Sequence, residues 1–122
     1  SLKPKKNKYN KSNKIMVIHG DKIPGKELLS QAGTIIIGHE HPAVSVKQGP
    51  RVELYKCYLI GKFKRKNLIV QPSLSLITEG TDILKDKQLS PFLKANIDDF
   101  FVYAVEDRIY ELGKVRDVKR VN

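Results

Sequence analysis

A chain of 122 residues with 40% apolar residues can bury one modest core and no more, and its single cysteine, Cys57, excludes an internal disulfide. No apolar run approaches the ~20 residues needed to cross a bilayer, and the first residues lack the apolar stretch of a secretory signal. A soluble, cytoplasmic protein with no membrane partner is therefore expected.

The formal net charge of +10 is concentrated, because Lys3, Lys5, Lys6, Lys8, Lys11 and Lys14 all fall within the first 14 residues, among Asn, Ser and Pro. Such a run carries too little apolar material to offset the entropy of ordering, so 1–13 is expected as a basic flexible tail and 14–122 as the one folded unit. Simple solvation explains the charge run. Attraction to nucleic-acid phosphates is the functional alternative, and salt would weaken it steeply. Ser1-Leu2 and a lone methionine, Met16, are what a trimmed chain would carry.

Beyond the tail, 14–19 is a short apolar run rich in β-branched residues and stopped by Gly20, which predicts a buried strand. Residues 25–32 predict one short helix with Leu28, Leu29 and Ala32 on its inner side and Gly33 as its stop. A second buried strand follows at 34–38, giving one βαβ unit whose connection is long enough for parallel strands. From Ala43 onward the pattern changes to short strands at 44–47, 51–62, 67–71, 100–105 and 108–115. These are expected to form a mostly antiparallel sheet, with hairpin turns at Gln48-Gly49-Pro50 and Glu106-Asp107 and a basic turn at 62–66. A short helix is expected at 90–95, where Ser90 can cap and Pro91 occupies the first position.

The chain has three histidines, and all lie just past the ends of the two predicted buried strands. The carboxyl ends of adjacent parallel strands open onto one crevice, so His19, His39 and His41 should converge there. If His39-Glu40-His41 is extended, the two imidazoles point to one side and Glu40 points away into solvent. Gly20 and Gly38 keep side chains clear where the backbone turns, and Pro42 stiffens the exit. A lone histidine after a strand is usually a surface residue; three of them with this glycine placement favour a metal site. Asp21 is a weaker candidate, able to orient an imidazole from behind but more simply a solvated loop carboxylate.

The strand-His-Gly motif Val17-Ile18-His19-Gly20-Asp21, followed by the strand-Gly-His-Xaa-His motif Ile36-Ile37-Gly38-His39-Glu40-His41-Pro42, resembles the last two metal-ligand motifs of calcineurin-like metallophosphoesterases. Together with Pro72, Gly80-Thr81-Asp82 and Leu89-Ser90-Pro91-Phe92-Leu93, the likeness is to the archaeal ICC-like type and spans roughly 14–118. The resemblance implies an α/β fold equivalent to part of an αββα sandwich, one βαβ unit with a mostly antiparallel sheet beside it. It also implies a hydrolase in which His19 and His39 bind one ion and His41 the other. Manganese is the first expectation, with iron or zinc as alternatives.

The family's Asp-Xaa-His, bridging Gly-Asp and Gly-Asn-His-Asp motifs are absent, and Asp21 directly follows His19, so it does not take the bridging role. The expectation is a C-terminal fragment of a two-metal phosphoesterase, acting on phosphodiesters when whole and inactive alone. Its partners would be a phosphoester substrate, nucleic acid among them, and either the missing N-terminal half or a second copy that covers an exposed apolar face. The rivals are one chain of a split enzyme and a non-catalytic basic nucleic-acid-binding module.

Overall fold

The computed structural model describes residues 13–75, 77 and 80–122, so the expected tail lies outside the described residues except for Asn13, as does Thr78. The architecture is mixed α/β. Strand β1 (Ile15–Ile18) leads through helix α1 (Lys26–Ser30) to β2 (Thr34–Ile37), and the two strands pair in parallel. Then come β3 (Pro42–Gln48), β4 (Arg51–Phe63), β5 (Lys66–Val70), a two-residue β6 (Thr81–Asp82), a 3-10 turn (Pro91–Leu93), β7 (Phe101–Val105), β8 (Ile109–Lys114) and helix α2 (Val115–Val121).

The expected antiparallel sheet does not sit beside the βαβ unit; it is fused to it. All eight strands form one open mixed sheet, running β1-β2-β5-β4-β3-β6, with β7 added to β4 and β8 to β7. The join is β5, whose Leu68, Ile69 and Val70 pair in parallel with Ile35, Ile36 and Ile37 while its other edge runs antiparallel to β4. A strand as apolar as β2 cannot leave an edge of peptide groups unpaired inside the fold, and β5 satisfies it. The basic turn between β4 and β5 is a tight hairpin in which both Lys64 and Arg65 take left-handed φ values, 46° and 68°.

Sheet register sorts the side chains into two faces. Ile35, Ile37, Leu68, Val70, Leu59, Cys57, Val102 and Ala104 share the inner face and are buried. They pack with Leu29 and Ala32 of the first connection, with Ile83, Phe92, Leu93, Ile97 and Phe100 of the long connection, and with Val115 and Val118 of α2. Each Val, Leu, Ile or Phe among them contributes about 1.5–3 kcal/mol by leaving water. Helix α1 is one residue shorter at its start and two at its end than its sequence suggests, and Leu28 is exposed; with so few residues the helix can present only Leu29 inward. The strand expected over 108–115 ends at Lys114, the residue that caps α2, and Gly113, at φ 91°, lies at a bulge opposite Val102; Val115 and Val118, three apart, turn one face of α2 to the core.

The outer face is open. Register places Val17, Ile36, Ile69, Ile60 and Phe101 in one row across five strands, with Tyr58 opposite Tyr103 beside it. Val17 is 70% exposed and Phe101 39%, and neither they nor Ile36, Ile60 and Ile69 pack on the core. No helix among the described residues is long and apolar enough to cross a membrane.

Cys57 is fully buried, as expected of a small core residue. Burial first, and Asp82 second, push its thiol up from the ordinary 9.0 to about 12. The folded state therefore holds this proton where the unfolded chain releases it. The stabilisation is complete below about pH 9 and is lost as pH rises toward 12, at about 1.4 kcal/mol per unit. Urea midpoints should fall between pH 8 and pH 10, and Cys57→Ala should flatten that fall. An equal fall in the alanine variant would mean that the thiol plays no part.

Candidate metal centre

The loops that follow β1 and β2 lie side by side because their strands are parallel neighbours, and Gly38 N–H donates to His19 O at 2.9 Å just past the last strand pair. Gly20, at φ 100°, turns the first loop. A methyl group added there would stand 2.7 Å from Ile37 Cβ, so this position requires glycine. Gly38 does not have that need: a methyl group would only touch His19 O at 3.9 Å. Gly80, in contrast, lies so close against His41 O that a side chain would collide with it, and Thr81 N–H donates to the same oxygen at 2.8 Å.

His19 Nε2 and His39 Nδ1 stand 3.0 Å apart, with the rings edge to face at 76°. Two readings fit that distance. One imidazole can donate its N–H directly to the other. Alternatively, two nitrogens each about 2.1 Å from one ion and at a right angle to each other stand about 3 Å apart, so the pair has the spacing that a shared ion demands. The expected convergence thus holds for His19 and His39.

His41 is different. The segment 39–41 is not extended, because His39 has φ 21° and His41 φ 50°, so the alternation that would have aimed both imidazoles one way does not apply. Among the described residues no group of three His, Cys, Asp or Glu side chains is placed to hold an ion, so His41 is not a third donor to the pair. Its Nδ1 is buried and has no hydrogen-bond partner. An orphaned buried nitrogen is costly, and a ligand from outside the described residues would relieve it. His19 and His39 thus stand together, whereas the half-buried His41 stands apart with its Nδ1 unpaired among the described residues.

Glu40, expected in solvent, is fully buried. Its Oε1 accepts from Leu89 N–H and Ser90 N–H, both at 2.8 Å, and its Oε2 accepts from Leu89 N–H at 3.0 Å. These donors come from the open start of the 3-10 turn, where backbone N–H groups have no partner within the turn and a carboxylate is a strong one. Ser90 caps that turn as expected, accepting from Phe92 N–H at 3.2 Å, and its hydroxyl donates to Gly20 O at 2.7 Å. Asp21 is exposed and makes no hydrogen bond to an imidazole among the described residues. The burial of Glu40 and the bond from Ser90 to Gly20 are not legible in the sequence, where the one signal is an acid placed between two histidines. A scan of family models, a search of curated proteins and a search of solved structures each find no match to this chain.

Proposed function

We propose that this chain carries the imidazole half of a two-metal phosphoesterase of the calcineurin-like type, with His19 and His39 as donors to one ion and His41 to the other. The observation that carries this reading is the 3.0 Å approach of His19 Nε2 to His39 Nδ1 at the carboxyl ends of adjacent parallel strands. Bound ions would supply Lewis-acid polarisation of the phosphoryl oxygens and activation of water. The resemblance favours manganese, while imidazole donors by themselves suit iron or zinc. The chain's own residues hold donors: they present two imidazoles from a rigid sheet edge and leave a third nitrogen unpaired.

Among the described residues no carboxylate joins the histidines in a group that could hold an ion, so the chain alone is inactive in this reading. The open apolar row and the outer edge of β1, which pairs with no other strand among the described residues, offer a place for the half that would bring them. Parallel strands are nearly always covered on both faces, which favours a covering layer here.

Equilibrium dialysis of Mn2+ against the chain should find about one weakly held ion, lost in a His19, His39 and His41 triple-alanine variant, and no hydrolysis of bis(p-nitrophenyl) phosphate. Two tight ions and turnover would mean that the chain completes its own site. No ion at any concentration would sink the metal reading. A second reading, a non-catalytic nucleic-acid-binding module, is favoured by Tyr58 and Tyr103 lying side by side on the open face with Lys62 and Lys114 on the same face. Salt-sensitive binding of single-stranded RNA or DNA that survives the triple substitution would favour it.

A further inference from the structure

Besides the contact between their imidazoles, the two histidine loops are tied together twice. The first tie is the backbone bond from Gly38 to His19, an extension of the strand ladder. The second runs through one residue far away in sequence. Ser90 Oγ donates to Gly20 O, next to His19, while Ser90 N–H donates to Glu40, between His39 and His41. Both Glu40 and Ser90 are fully buried.

A buried carboxylate is an expensive way to close a turn, and among the described residues no cation is paired with Glu40. What it does hold is an unusual backbone: the residues on both sides of it, His39 and His41, have left-handed φ values that side chains other than glycine seldom adopt. Released from its anchor, such a turn relaxes, and the imidazoles on it move. We infer that Glu40 and Ser90 are positioning residues that clamp the two histidine loops at a fixed separation and thereby set the His19–His39 pair for a shared ion. This rests on the metal reading above.

The clamp has a directional logic. Shifting the 3-10 turn moves Gly20 and Glu40 together, so relative motion of the loops requires breaking either the Ser90 hydroxyl bond or the bonds to Glu40. Glu40→Gln keeps the volume but puts an NH2 group where one oxygen sat; Ser90→Ala removes only the hydroxyl. Neither variant touches a ligand nitrogen.

Electron paramagnetic resonance of the full chain loaded with one equivalent of Cu2+ counts the imidazole nitrogens on the ion. The wild type should show two, whereas Glu40→Gln and Ser90→Ala should show one, with Cu2+ affinity lower by about 10- to 100-fold. Val102→Ala, which loosens the core away from the loops, should retain two. Both nitrogens and wild-type affinity in the clamp variants would overturn the proposal, and so would loss of the pair in Val102→Ala to the same degree. A wild type without paired nitrogens would instead sink the metal reading. The clamp would then be read from nitrogen-15 spectra of the metal-free histidine rings. A His19–His39 hydrogen bond present in the wild type and absent from both clamp variants supports it, and unchanged ring spectra overturn it.

Discussion

Gly20→Val should lower the free energy of unfolding by about 2–6 kcal/mol, a large part of the 5–15 kcal/mol typical of a domain. Two penalties combine. At φ 100° a β-branched residue is strained by about 1–3 kcal/mol. In addition, its Cβ would sit 2.7 Å from Ile37 Cβ, and Ile37 is fully buried in the inner face with no room to retreat, adding about 1–3 kcal/mol of overpacking. Gly25→Ala is the matched control, since its φ is −60° and a methyl group there meets nothing within 4 Å. Urea denaturation of the two variants should separate them clearly. A Gly20→Val midpoint within error of that of Gly25→Ala would show that the first loop is free to rearrange, and the whole geometry of the histidine pair would then be in question.

Phe92→Ala should cost about 3–5 kcal/mol, the usual range for emptying a buried aromatic site. Phe92 is only 3% exposed, its ring packs at 4.7 Å from that of Phe63, and its N–H is held by the Ser90 hydroxyl. The cavity would open between the sheet and the long connection, whose other apolar residues, Ile83, Leu93 and Ile97, depend on the same contact surface. Collapse onto the void is limited because the turn is pinned at Ser90. Calorimetry checks this, and a loss below about 1 kcal/mol would mean that the connection does not pack as described.

What could be read in the sequence was whatever depends on neighbours in the chain. The runs ending at His19 and at Gly38 are apolar, β-branched and closed by glycine, so β1 and β2 were legible as strands, and with them the meeting of His19 and His39; but β1, expected to be buried, ends the strand order and has no buried residue. The 49 and 50 residues separating Glu40 from Leu89 and Ser90 explain why its burial was not. Nothing local tells an acid that its hydrogen-bond donors will arrive from half a chain away, and hydrophilic character alone points outward. The extended reading of 39–41 failed for a related reason, since left-handed φ at two histidines persists only where distant groups enforce it. Thr81–Asp82 is too short for a strand to be seen, and exists because His41 and Ala43 offer their backbone to it. Continuity of the sheet through β5 was likewise invisible: a short apolar run such as that at 67–71 does not say which strands it will pair with.

That seam sets an order of assembly. The strands that carry the histidines reach the rest of the sheet through one ladder of four residue pairs, from Thr34 with Asn67 to Ile37 with Val70. On a ribosome, β1, α1 and β2 leave well before Val70 and Ser90 do. The histidine loops are thus set late relative to their own synthesis, because their geometry waits for β5 and then for Ser90.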